Sequence, residues 1–142
     1  MSVLRVKLLR PGAKFDAPRK PGDVGYDLSA CIDEELILGP HETRVIPSGI
    51  ALIVPEGHMG EVRPRSGLAS SGLVAEVGSV DQGYRGEVGV ILHNRHTKPQ
   101  MIVPGMRIAQ LVLTRVSVPE VAIVEELGAT VRGDSGFGSS GR

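Results

Sequence analysis

The chain has 142 residues, 16 of them Lys or Arg and 16 Asp or Glu, so its formal net charge is zero and no overall field draws it to nucleic acid or to an anionic membrane surface. Its single cysteine excludes a disulfide framework and any cysteine-based zinc site, and fits a reducing cytoplasm. One domain of this size must build its core from Val, Ile and Leu, because the sequence holds no tryptophan, two tyrosines and two phenylalanines.

The opening decamer, MSVLRVKLLR, sets Arg5 and Lys7 against Leu4, Val6 and Leu8. This alternation predicts a strand, and the run lacks the continuous apolar centre of a secretory signal. No stretch reaches the apolar length of a membrane span, so a cytoplasmic protein without membrane or nucleic-acid partners is expected. Glycines (19) and prolines (10) recur every few residues, and no window between them holds a 3.6-residue apolar period. Short β-rich runs stand there instead: TRVIPSGIALIVP, GEVGVILHN and MIVPGMRIAQLVLTRVSVPEVAIVEE. They predict an all-β sandwich, jelly roll or barrel.

RPRSGLASSG interrupts the β pattern. Pro64 holds Arg63 extended, Ser66 has the chemistry of an N-cap, and one or two helical turns would follow, with Gly72 as the stop. Free N–H groups, a hydroxyl and the Arg65 guanidinium would converge there on an anion. The same residues also make an ordinary loop with a capped turn. In GSVDQGYRGEVGVIL, Asp81 is the only aspartate between Asp33 and Asp134. It serves either as a turn residue accepting backbone N–H bonds or as a functional carboxylate. His93 and His96 have no third ligand near them in sequence and read as strand or surface residues. Residues 108–118 are apolar on both alternating faces, which predicts a central, doubly buried strand. Gln110 within that run is a polar group needing partners, either a structural amide or a ligand donor at a cleft.

After Thr130 the composition shifts to the Gly/Ser tail RGDSGFGSSGR. A β domain over residues 1–131 and a flexible arm over residues 132–142 are therefore expected. Gly136, Gly138 and Gly141 match G-x-G-x-x-G, but no helix is expected after them, so the match carries no dinucleotide site. The RGD tripeptide at residues 132–134 would need an exported protein to act in adhesion. Phe137, a scarce ring on a segment that cannot pack a core, asks for another role.

VGYDLSA (24–30), PRSGLA (64–69), GSVDQGYRGE (78–87), GMRIAQL (105–111) and RGDSGFGSSG (132–141) resemble, in order and spacing, the five motifs of the trimeric dUTPase family. The resemblance spans nearly the whole chain. It implies an all-β, jelly-roll-like (β-clip) subunit with one short helix and a flexible C-terminal arm. It also implies a homotrimer whose active sites lie at subunit interfaces. The implied reaction is hydrolysis of dUTP to dUMP and pyrophosphate, limiting uracil incorporation into DNA and supplying dUMP, with Mg²⁺ held mainly by the triphosphate.

By the same resemblance, Asp81 orients and deprotonates the water that attacks the α-phosphorus, and its other oxygen meets the deoxyribose 3′-OH. Such a displacement needs a positioned water and charge stabilisation more than covalent help. Tyr84 would pack under the sugar, where a 2′-hydroxyl clashes. Ser79, Val80 and Asp81 would read the uracil edge through backbone groups, with Gly89 also in the substrate-binding set. Arg65, Ser66, Gly67 and Gln110 match groups that meet the phosphates, and Asp27 one that supports the metal through water. Arg132 would pair with the γ-phosphate, and Phe137, with Gly138 beside it, would stack over the uracil as a lid. Met106 stands where the fourth motif usually has Asp, and Ser135 where the fifth usually has Gly. Glu76 lies near where several members place an Asn. Two other functions share the fold: a nucleotide-gated binding or regulatory protein, and a dCTP deaminase. In the latter branch a catalytic glutamate stands where this chain has Ile91.

Overall fold

The structure is a computed structural model that describes residues 3–18 and 20–141. Met1 and Ser2 of the predicted first strand, Arg19, and Arg142 of the predicted arm lie outside the described residues. In chain order the elements are β1 (Arg5–Leu8), β2 (Gly25–Ser29), β3 (Leu36–Leu38), β4 (Thr43–Pro47), β5 (Ile50–Ile53) and β6 (His58–Arg63). The helix α1 (Ser66–Ser70) follows, then β7 (Leu73–Ala75), β8 (Gly78–Val80), β9 (Gly89–Asn94), β10 (Gln100–Ile102) and β11 (Arg107–Arg115). The strands form four small sheets ordered β2-β11-β6-β8, β4-β9-β7, β1-β5 and β10-β3, with every pairing antiparallel. The jelly-roll-like, all-β subunit with one short helix is thus the observed fold.

Strand alternation explains how so few rings suffice. In β9, Val90, Leu92 and Asn94 are buried while Gly89 and Ile91 face outward. The core that results is aliphatic: Leu28, Leu38, Ile46, Ile50, Leu92, Ile108 and Leu111 are each at most 1% exposed. Burying one such side chain stabilises by about 1.5–3 kcal/mol. Asn94 is fully buried with them and fully used: its amide donates to the carbonyls of Leu38, Gly39 and Lys98, and its oxygen accepts the His96 N–H at 2.9 Å. At the edge of β2, Phe15 stacks on Tyr26 with ring centroids 5.3 Å apart. That contact, with the bridge from Asp16 to Asp27, lays Phe15 and Asp16 alongside β2.

Three expectations change. First, β11 is one of the two inner strands of its sheet, but full burial is confined to Ile108, Ala109 and Leu111, and Gln110, Val112 and Leu113 are only half-buried. Second, residues 116–131 form no strand, and Val118, Val121, Ile123 and Leu127 are each more than four-fifths exposed. A strand needs a neighbouring edge to bond, and a single subunit offers this segment none. Third, Ser66 is not the N-cap. Arg65 holds that place in an extended conformation (φ −92°, ψ 131°) with no side-chain cap, and Ser66 enters the first turn. The extended geometry enforced before and at Pro64 runs one residue further than expected. Gly72, at φ 90°, ends the helix as its sequence position suggested. No helix among the described residues is long and apolar enough to cross a membrane.

Candidate active site

A cavity of about 660 Å³ opens at the start of α1, lined by Asp27, Arg65, Ser66, Gly67, Arg107 and Gln110, with Lys20 and Asp23 also facing it. Asp27, on β2, is shared by two guanidinium groups: Arg65 Nε at 3.3 Å and Arg107 at 3.4 Å. Arg65 also donates to the Arg107 carbonyl at 3.3 Å. Three cations therefore face two carboxylates, and the surplus charge, the Ser66 hydroxyl and the helix-start N–H groups suit an anion.

Two sequence features build this wall. Residues 107 and 110 would point to opposite faces of a regular strand, because side chains alternate. The pairing of β11 with β2 slips between Arg107 and Ala109, and this bulge turns Arg107 to the same cavity as Gln110. Gln110 donates to the Pro64 carbonyl at 3.0 Å, and its amide lies across the neighbouring strand at Gly25. A Cβ on Gly25 would stand 2.0 Å from the Gln110 Oε1, so the Gln110 amide keeps this position only beside glycine.

A second cavity, of about 240 Å³, shares no lining residue with the first and includes Ser79, Val80, Asp81, Tyr84, Gly89 and Ile91. β8 delivers Ser79 and Val80 by pairing with β6, and Asp81 leaves its end. The turn that follows is closed by backbone and arginine: the Tyr84 N–H bonds the Asp81 carbonyl at 3.1 Å, and Arg85 bonds the Gln82 carbonyl at 2.6 Å. The Asp81 carboxylate stays exposed instead of closing the turn. The Tyr84 hydroxyl donates to the Glu87 carbonyl at 2.8 Å. Glu87 itself bonds Arg10 at 2.6 Å and accepts the Gly49 N–H at 2.8 Å. The Arg10 bond first, and the Gly49 N–H with it, holds the Glu87 carboxyl below the usual carboxylate range. Ile91, the alkyl side chain at the deaminase position, lines this same cavity and can move no proton.

The described residues of the arm line neither cavity. Arg132 donates to its own loop at the Ser135 carbonyl, 2.9 Å away, and the Ser135 N–H returns to the Arg132 carbonyl at 3.2 Å. Phe137 (φ 50°) and Gly138 (φ 88°) lie in left-handed backbone, and the Phe137 ring is fully exposed. Elsewhere, Met106 packs against the core, and Glu76 pairs with Arg95 at 3.7 Å. The Nδ1 atoms of His93 and His96 are engaged by the Thr43 hydroxyl and the Lys98 N–H. No group of three or more His, Cys, Asp or Glu among the described residues could hold a metal ion, and both Asp27 oxygens already face guanidinium. That donor set fits a metal carried by a polyphosphate and met through its waters. Reading the sequence missed Arg107, Lys20 and Gly25. Arg107 lies inside the fourth motif and Gly25 inside the first, but only the register of β11 against β2 reveals what each one meets.

The dUTPase family model matches residues 13–141. The chain is 47% identical to the deoxyuridine 5'-triphosphate nucleotidohydrolase of Anaeromyxobacter sp. (strain Fw109-5), over 100% of this chain and 97% of that one. It is 43% identical to the enzyme of the same name from Syntrophotalea carbinolica, over 98% and 97%. Among solved structures it resembles the Staphylococcus bacteriophage 80alpha dUTPase with dUPNHPP, at 33% identity and TM-score 0.88, with 100% of both chains covered. A mutant dUTPase from phage phi11 of S. aureus, described with the coordination of a structural Mg(II) ion, matches at 29% identity and TM-score 0.83, over 90% of this chain and 100% of that one.

Proposed function

The chain belongs to the dUTPase family, and from that premise we propose how its residues divide the work. The enzyme is a dUTP nucleotidohydrolase, converting dUTP to dUMP and pyrophosphate. Uracil and deoxyribose enter the smaller cavity. The backbone of Ser79, Val80 and Asp81 reads the base edge, Gly89 borders it, and Tyr84 stands against the sugar. The phosphates enter the larger cavity, where Arg65, Ser66, Gly67 and Gln110 meet them and Arg107 keeps Asp27 in place. Asp27 would hold Mg²⁺ through water, and the ion, bound with the triphosphate, would supply neutralisation of its charge. Asp81 accepts a proton from the water as its oxygen bonds the α-phosphorus. The electron pair of the broken P–O bond leaves with pyrophosphate. Arg132 then pairs with the γ-phosphate, and Phe137 and Gly138 cover the base. A cytoplasmic location fits these substrates and the single unpaired cysteine.

One observation carries the assembly. The nucleoside residues and the phosphate residues line separate cavities of one subunit, and they become one site only when copies pack as a homotrimer. Outward apolar pairs support this packing: Val45 opposite Ile91, and Ile37 opposite Met101, all exposed. The unpaired segment carrying Glu120, Glu125 and Glu126 among its valines complements the β1–β5 groove, where Arg5, Lys7 and Arg85 surround an apolar floor of Ala51 and Leu52. The chemical step is tested by turnover in ¹⁸O-labelled water. Attack at the α-phosphorus puts the label in dUMP, whereas label in pyrophosphate would refute it.

A further inference from the structure

Tyr84 is fixed by a strut that runs away from the site. Its hydroxyl is bound to the Glu87 carbonyl at 2.8 Å, and Gly86 leaves the ring just enough space. A Cβ there would stand 2.5 Å from the hydroxyl and 2.7 Å from Cζ. Glu87 is anchored in turn by Arg10 at 2.6 Å and by the Gly49 N–H at 2.8 Å. The next residue is stitched to the same turn: the Val88 N–H bonds the Ile50 carbonyl at 2.9 Å, and the Ser48 hydroxyl bonds the Val88 carbonyl. That turn packs closely on its surroundings: Gly49 (φ 74°) has Cys31 Sγ and Ala13 Cβ within 2.6 and 2.8 Å of where a Cβ would be.

We propose that Arg10, Glu87 and Gly86 set the choice of deoxyribose over ribose by holding the Tyr84 ring against the sugar. The proposal rests on the placement of Tyr84 given above. A 2′-hydroxyl adds an oxygen where the ring stands. A ring that cannot retreat rejects it, and a ring free to shift admits it. Arg10 touches no substrate; it is a positioning residue acting through Glu87.

Discrimination is a difference between two transition-state affinities, so the readout is kcat/KM for dUTP divided by kcat/KM for UTP. A change that merely weakens the fold lowers both and leaves the ratio unchanged. Arg10→Ala should lower the ratio about fivefold and Gly86→Ala about tenfold, the scale of small steric changes in a binding site. Arg10→Lys should stay nearer the wild-type ratio. The Arg10–Glu87 pair is partly exposed (39% and 32% of the side chains) and adds little to stability, so Arg10→Ala gives a folded test even if Gly86→Ala does not. Tyr84→Ala is the reference. A wild-type ratio in Tyr84→Ala would remove the ring from the sugar and sink the proposal with it. A reduced ratio in Tyr84→Ala beside wild-type ratios in Arg10→Ala and Gly86→Ala would overturn the strut alone.

Discussion

Asp81 draws its role from what it does not do. A turn aspartate would spend its carboxylate on nearby N–H groups, but here the turn is closed by the Tyr84 N–H and by Arg85. Asp81→Asn keeps the shape and removes the base. Nucleotide affinity should stay within about tenfold while kcat falls at least ~10²-fold, the low end for losing a general base. Single-turnover kinetics with a separate binding measurement checks this, and near-full turnover would make Asp81 a structural residue. Gly25 gives a second prediction. In Gly25→Ala the new methyl meets the Gln110 amide, which a Cβ would approach to 2.0 Å, and the amide must leave the phosphate cavity. KM for dUTP should rise about tenfold or more, as for loss of a hydrogen bond to a charged group, while Gln110→Ala alone should match it. Fully additive losses in the double variant would show the two positions to be independent. Asp81 stood out as the only aspartate between Asp33 and Asp134, and Gln110 as a lone polar residue in an apolar run. Arg107 did not, because its direction depends on a one-residue slip between β11 and β2 that spacing alone does not reveal.

At the scale of elements, β-rich runs forecast real strands wherever a partner edge exists within the subunit, as in β4, β5, β9 and β11. The same signal misread residues 118–127, whose Val and Ile are arranged as in a strand yet find nothing to pair with. Composition records the need for a partner and not its location. The start of α1 was misjudged by one residue because extended backbone at Arg65 takes the capping position. The glycines and serines after Thr130 are the ground for the proposed arm, and it offers a direct measurement, since the protein has no tryptophan. Phe137→Trp places a single indole on the proposed lid, exposed when free, with red-shifted emission. Stacking on uracil is worth roughly 1–3 kcal/mol, and ordering the arm costs at least as much. Closure should therefore need the γ-phosphate contact of Arg132 as well. A non-hydrolysable dUTP analogue with Mg²⁺ should quench the indole, and dUMP should not. Equal quenching by both would rule out phosphate-gated closure.

For the whole molecule, the two-cavity arrangement predicts complementation between defective chains. Asp81→Asn chains mixed with chains ending at Val131 should regain part of the activity once subunits exchange, because some mixed trimers contain an intact site. A monomeric mass at micromolar concentration would exclude it. Acid stability follows from two carboxyls. Glu87 is held low chiefly by Arg10, and Glu42 by the Gly39 N–H and then Arg44, both below their ordinary value of 4.5. Unfolded chains thus take up protons at these sites before folded ones do. Their contribution is complete above pH 4.5 and is lost as pH falls through the depressed folded values. Melting curves of Glu87→Gln should accordingly decline less steeply with acid below pH 4.5 than those of the wild type. The motif order picked out the residues of the proposed site. It could not disclose that they occupy two separate hollows, since that depends on which sheet carries each motif.

The inner place of β11 also has a consequence for the chain as it is made. β2 and β6 both bond to β11 and not to each other, yet both leave the ribosome long before it. Until β11 emerges, β2 has no sheet to join, and β6 has only its edge toward β8. Leu28 and Val62, buried in the finished protein, then lie in reach of other nascent chains. A strand that joins two others and is made after both makes folding of this sheet a late event. Fragments stopping before Arg107 should therefore leave β2 unpaired and be prone to aggregation, which limited solubility of such fragments would check.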